Sequence, residues 1–223
     1  MSIERVLAWS DAKLPVLRES LRRGVSEAEI AAAQEKLGAE LPSDVVELYR
    51  AYDGQVELHD RRGLFYGVRW MPLSEVLAAW ENWVDLGTRD PGLVDDCAEF
   101  MKSDPPGAIE PIYINRGWIP FTADGSGNNL GIDLAPGPKG TRGQVIIFGR
   151  DENEKFLVAP SLSAFTSWYA DQLESGKFFV ELDEDEDVDG DPMPVIVETF
   201  GRDEKSVHLH DLLRGLRREG VLP

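Results

Sequence analysis

Carboxylates carry most of the chain's capacity for chemistry. Between residues 181 and 191 eight side chains are acidic and none is basic. Asp185, Asp187, Asp189 and Gly190 stand in the order that opens a calcium loop, where alternating carboxylates converge on one cation and glycine permits the sharp turn. The position that must supply a bidentate Glu is Ile196, however, and Pro192 and Pro194 stand where the exiting helix should begin. The run reads as a solvated acidic hairpin loop, and no metal site is expected. Gly125, Gly127 and Asn128 share residue types with a dinucleotide fingerprint, but the third glycine falls on Leu130 and a strand follows. Gly137, Lys139, Gly140 and Thr141 have the composition of a phosphate loop without its Gly-Lys-Thr order, which leaves Lys139 a solvated loop residue.

Nucleophiles and acid–base pairs are no better organised. Cys97 is the only cysteine, so a disulfide, a zinc ribbon and a redox pair are all excluded, and it reads as a small core residue. His208 and His210 are two apart in an expected helix and point to different sides, while His59 stands alone. No serine sits in a nucleophile elbow, and 41 acidic residues are too many to nominate an acid and a base. These residues predict no catalytic group, no cofactor and no metal.

Composition narrows the partners. A net charge of -18 opposes binding to DNA, RNA or anionic membrane, because phosphate recognition needs clustered Lys and Arg, and it suits a basic protein partner. Charged residues interrupt the first twenty positions and no apolar run approaches a membrane span, which reads as a cytosolic protein. Oligomeric state is open.

The elements that must position these residues follow from periodicity. Ser26 with Glu29 is a capping box for a helix to Leu37, stopped at Gly38. Pro42 and Ser43 start another, with Val45, Leu48, Tyr49 and Tyr52 on one stripe and Gly54 ending it. Leu73, Val76, Leu77, Trp80 and Val84 predict a helix to about Leu86, and a short one is expected over 94–101. Strands are predicted at 64–70, 118–121, 130–134, 145–148 and 156–158, the third with one buried face. Asp124, Gly125, Gly127 and Asn128 provide a tight reversal between two of them. A helix introduced by Pro160 and Ser161 runs to Gly176, and then come a strand at 178–182, a partner at 195–200 and a helix at 207–218.

Two separated blocks carry a resemblance to a known family. One is Ser26-Glu27-Ala28-Glu29-Ile30, Leu37-Gly38, Leu41-Pro42, Leu48-Tyr49 and Tyr52-Asp53-Gly54; the other is Trp118-Ile119-Pro120-Phe121, residues 124–134 and Gly143-Gln144-Val145. Together they resemble the SUKH superfamily, which includes fungal cell-wall-assembly regulators and bacterial immunity proteins. The resemblance covers about residues 26–176, and Asp53 stands where many members carry Asn. It implies an α+β fold: a single domain with a mixed, mainly antiparallel sheet flanked by helices. A SUKH-like unit at 1–177 is followed by a C-terminal strand-loop-strand-helix extension at 178–223 that docks on it.

The function implied first is a non-enzymatic immunity protein that neutralises a cognate toxin, for instance a nuclease, in the cytosol. Asp183, Glu184, Asp185, Glu186, Asp187, Asp189 and Asp191 are the candidate contacts to such a basic partner, steering encounter electrostatically. The second reading is an intracellular regulatory or scaffold protein of the cell-wall-assembly type, ranked lower because fungal members carry long flanks absent from this sequence. Gly54, Trp118, Pro120, Asp124, Gly127, Asp133 and Gly143 are assigned to holding the fold.

Overall fold

Helix α3 (Glu27–Leu37) starts where its reciprocal cap puts it: Ser26 Oγ accepts the Glu29 N–H at 3.3 Å, and the Glu29 carboxylate accepts the Ser26 N–H at 2.8 Å. Gly38, at φ 68°, closes it. The computed structural model describes residues 2–56, 63–186, 192–198 and 209–222. Upstream lie α1 (Ser2–Lys13), α2 (Pro15–Glu19) and the short β1 (Leu21–Arg23). Downstream, α4 (Ser43–Ala51) buries Val45, Leu48 and Tyr49.

The stripe that predicted α4 to run on to Gly54 fails at Tyr52. There the backbone is extended and begins β2 (Tyr52–Gln55), which pairs antiparallel with β1. The cause is tertiary. Asp53 accepts the Leu73 N–H at 2.7 Å and the Arg22 Nε–H at 3.1 Å, and Gly54 sits at φ 66° so close to Met71 that a Cβ would come within 2.5 Å of its carbonyl carbon. The strand expected at 64–70 is likewise shorter. Only β3 (Arg69–Trp70) is a strand, and residues 63–68 fold into a turn closed by bridges Gly63↔Gly67 and Phe65↔Val68. Leu64 and Phe65 are apolar because they are buried, with Tyr169 Oη accepting the Tyr66 N–H and donating to the Leu64 carbonyl.

Helix α5 (Leu73–Arg89) buries Leu73, Val76 and Trp80. Helix α6 (Pro91–Ala98) begins earlier than expected, because Asp90 caps the Leu93 N–H and Pro91 suits the first turn. It buries nothing fully, so Cys97 is half-buried and not the core residue expected.

The central sheet has the order β4-β9-β8-β7-β5, built from β4 (Lys102–Asp104), β5 (Trp118–Pro120), β7 (Asn128–Asp133), β8 (Gln144–Gly149) and β9 (Glu154–Ala159). Only β4–β9 is parallel, and β6 (Thr122–Ala123) turns aside to pair with β3. Val145, Ile147, Phe156 and Val158 enter the main core with α1, α4 and α5, while Ile146 and Phe148 meet Trp118, Ala108 and Ile109 in a second cluster. The sheet is therefore covered on both sides. That corrects the single buried face expected for β7, in which Gly131 and Asp133 are as buried as Leu130 and Ile132.

Helix α7 (Leu162–Glu174), capped by Ser161, buries Phe165, Tyr169 and Leu173 against the same core. Beyond it come β10 (Phe178–Glu186), β11 (Pro192–Glu198) and α8 (Leu209–Arg218). Phe178, Ile196, Leu209, Leu212, Leu213 and Leu216 all belong to the main core. Helices surround a mixed, mainly antiparallel sheet, an α+β architecture. Among the described residues, no helix is long and apolar enough to cross a membrane.

Candidate functional site

The reversal between β6 and β7 is held by one carboxylate. Asp124 Oδ1 accepts the N–H groups of Ser126, Gly127 and Asn128 at 2.7, 3.0 and 3.0 Å, the side-chain turn expected of Asp. Asn128 then donates from Nδ2 to Asp124 Oδ2 and Asp151 Oδ2, and its Oδ1 accepts the Asp151 N–H at 2.9 Å. The glycine loop is thus bolted to the β8–β9 turn.

Trp118, Pro120, Asp133 and Gly143 lie in or beside the central sheet. Trp118 is buried against Phe148, 5.4 Å between ring centroids, and Pro120 lies opposite Gly131. Asp133 accepts the Ala135 N–H at Oδ1 and the Gln144 side-chain amide at Oδ2, and Gly143 donates to the Asp133 carbonyl at 2.7 Å. Burial pushes the Asp133 carboxyl up to about 6, against the pull of its Gln144 and Ala135 hydrogen bonds.

Sequence reasoning missed the charges buried just beyond this loop. Lys155 is fully buried, donates to the Glu152 carbonyl at 2.6 Å and lies over the rings of Trp118 and Tyr113 at 5.4 and 5.5 Å. Loss of water lowers its ammonium to about 8. The buried Glu152 carboxylate pairs with Arg214 of α8, and His210 Nδ1 lies 3.4 Å from its other oxygen. Burial dominates at His210 and pushes the imidazolium down to about 4, despite Asp124 and Asp211. His210 and Arg214 share one helix face four residues apart, the single hint available in the sequence. This arrangement fastens α8 to the β8–β9 turn.

The acidic candidates divide. Asp183, Glu184, Asp185 and Glu186 lie in β10, not in the loop expected of them, whereas Asp187, Asp189 and Asp191, with the centre of the calcium-like pattern, lie outside the described residues. His59 and His208 also lie outside them. Among the described residues no three His, Cys, Asp or Glu side chains come together to hold a metal ion. An open depression of about 590 Å³ is lined by Arg23, Ser26, Glu29 and Arg50. Glu29 is engaged in the helix cap and Arg50 on Glu27 at 2.5 Å, so the depression presents no organised acid and base.

Comparison with known proteins completes the description. A profile described as "SMI1 / KNR4 family (SUKH-1)" matches residues 24–168. The chain is 31% identical to "Glucan synthesis regulatory protein" of Neurospora crassa, over 83% of this chain and 40% of that protein. It is 32% identical to "Cell wall assembly regulator SMI1" of Saccharomyces cerevisiae, over 89% of this chain and 44% of that protein. It is 35% identical to "Cell wall biosynthesis/cell cycle regulator smi1" of Schizosaccharomyces pombe, over 82% of this chain and 38% of that protein. The chain spans well under half the length of these curated relatives.

Proposed function

The chain belongs to the SMI1 / KNR4 family (SUKH-1), and from that membership we propose that it is a non-enzymatic regulatory module that acts by binding other proteins, as a regulator of cell-wall assembly or glucan synthesis. One observation carries the reading: the relatives named as regulators match 82–89% of this chain, beyond the 24–168 span of the family profile. The immunity reading, placed first on sequence, has no comparable support among these relatives and becomes the second reading. Its argument from missing flanks separates nothing, because a chain can match one segment of a longer relative. A cytosolic location and a basic protein partner met by the acidic residues 183–191 remain part of the proposal, as does a division at residue 177 with the extension docked on the unit before it.

A segment exchange tests it. The matching segment of the Saccharomyces cerevisiae SMI1 regulator is replaced by this chain, and growth on a wall-binding dye is scored. Rescue of a strain lacking the regulator is the expected result. A chimera that accumulates normally yet leaves the strain as sensitive as the deletion would sink the regulatory reading.

A further inference from the structure

We propose that the outer edge of β10 is a docking edge for an extended, basic segment of a partner protein, which joins the β10–β11 ribbon as a third strand. The proposal rests on the protein-binding reading above and supplies its surface and its chemistry. Among the described residues β10 pairs with β11 alone and stands apart from the five-stranded sheet, so the ribbon has two outer edges.

Proline decides which edge is usable. In an antiparallel ladder, facing residues alternate between pairs that exchange two N–H···O bonds and pairs whose backbone groups point away from the partner strand. Pro194 faces Leu182 and has no N–H, which places this pair in the second kind and the exchanging pairs at Glu181↔Val195 and Phe179↔Val197. On β11 the outward positions then include Pro194, and beyond an irregularity in the register the strand begins with a second proline, Pro192, so donors are missing along that edge as on natural edge strands. On β10 the outward N–H and C=O groups belong to Val180 and Leu182, and both donors are intact. This is the pattern an added strand requires, main-chain bonds supplying affinity and alternate side chains specificity.

Side chains and charge define the occupant. Leu182 is 63% exposed and Phe179 37% exposed, large apolar groups on opposite faces of the ribbon. Eight acidic residues and no basic one follow from position 181 to 191 in a chain of net charge -18. A second copy pairing along the same edge would bring two such runs together, and like charges facing across a ladder oppose pairing. A lysine- or arginine-bearing segment with apolar residues at alternate positions is complementary on both counts.

Amide hydrogen exchange on the full chain, read residue by residue by NMR, tests the edge directly. In the free protein Val180 and Leu182 should exchange at least about tenfold faster than Phe179 and Glu181, as open edge amides do. Excess synthetic peptide of alternating lysine and isoleucine should slow Val180 and Leu182 about tenfold, and the same peptide N-methylated at alternate residues should not. Protection of Val180 and Leu182 in the free chain equal to that of Glu181 would overturn the proposal. So would a lysine peptide that leaves them unchanged, or a glutamate–isoleucine peptide that binds equally well. Slowing that grows with protein concentration alone would assign the edge to a second copy and overturn the basic occupant. The segment exchange reads regulation and this experiment reads an edge, so either can fail without the other.

Discussion

Asp133 is a junction between the end of β7 and the loop that enters β8, since one carboxylate oxygen takes a backbone N–H and the other takes the Gln144 side chain. Its two hydrogen bonds favour the ionised form, and complete burial opposes it. Burial wins, and the carboxyl titrates near 6 instead of the 3.8 of an exposed chain. The folded state therefore holds its proton more tightly than the unfolded state. Asp133 contributes most to stability below pH 4, and the contribution is lost as pH rises through 6. Urea titrations at pH 5 and pH 7 should show Asp133→Asn removing about 1 kcal/mol of the pH dependence between those two values, with wild type relatively favoured at pH 5. An unchanged difference between the two pH values would show that the carboxyl is not perturbed. Gly127 offers a second residue-scale test. It sits at φ 98° and donates its N–H to Asp124, and a β-branched side chain is strained at such an angle. Gly127→Val should lower unfolding free energy by about 2 kcal/mol, measured by urea denaturation.

Helix α8 packs on the rest of the chain through a leucine face, with His210 and the buried pair of Arg214 with Glu152 beside it. Removing one partner of such a pair strands a charge in a poorly solvated place, whereas removing both leaves none. Arg214→Met should cost about 3 kcal/mol, and adding Glu152→Gln should recover most of that loss, a strongly non-additive cycle in urea denaturation. Strict additivity would mean the two groups do not act as a pair. The same elements show why some of the fold was readable in advance. The caps of α3 at Ser26 and of α7 at Ser161 use partners within three residues, so their signals are local and complete. Tyr52 fits the stripe of α4 equally well, yet it enters β2 because Asp53 bonds to Arg22 and to the start of α5. Asp133 looks like the polar side of an alternating strand, but the second cluster of Trp118 and Phe148 covers that face as well. Lys155 and Glu152 were invisible for the same reason: charge in a sequence implies water, and only the arrival of Tyr113, Trp118 and α8 takes the water away.

Segments on both sides of the family-matched region close on the same central helix. At one flank Arg5 of α1 bridges Asp171 and Glu174 of α7, and at the other Trp168 of α7 donates to the Val221 carbonyl at 3.0 Å. Between them Phe165, Tyr169 and Phe178 pack ring against ring. The extension adds Phe178, Ile196, Leu209, Leu212, Leu213 and Leu216 to the main core. Truncation after Lys177 should therefore do more than trim a tail: it uncovers Trp168 and Tyr169 and leaves Glu152 buried without Arg214. The shortened chain should lose its near-ultraviolet circular dichroism and show no cooperative thermal transition, while the full chain retains both. A fragment of residues 1–177 that melts cooperatively within a few degrees of the full chain would instead show an autonomous core, with the extension resting on it as a separable accessory.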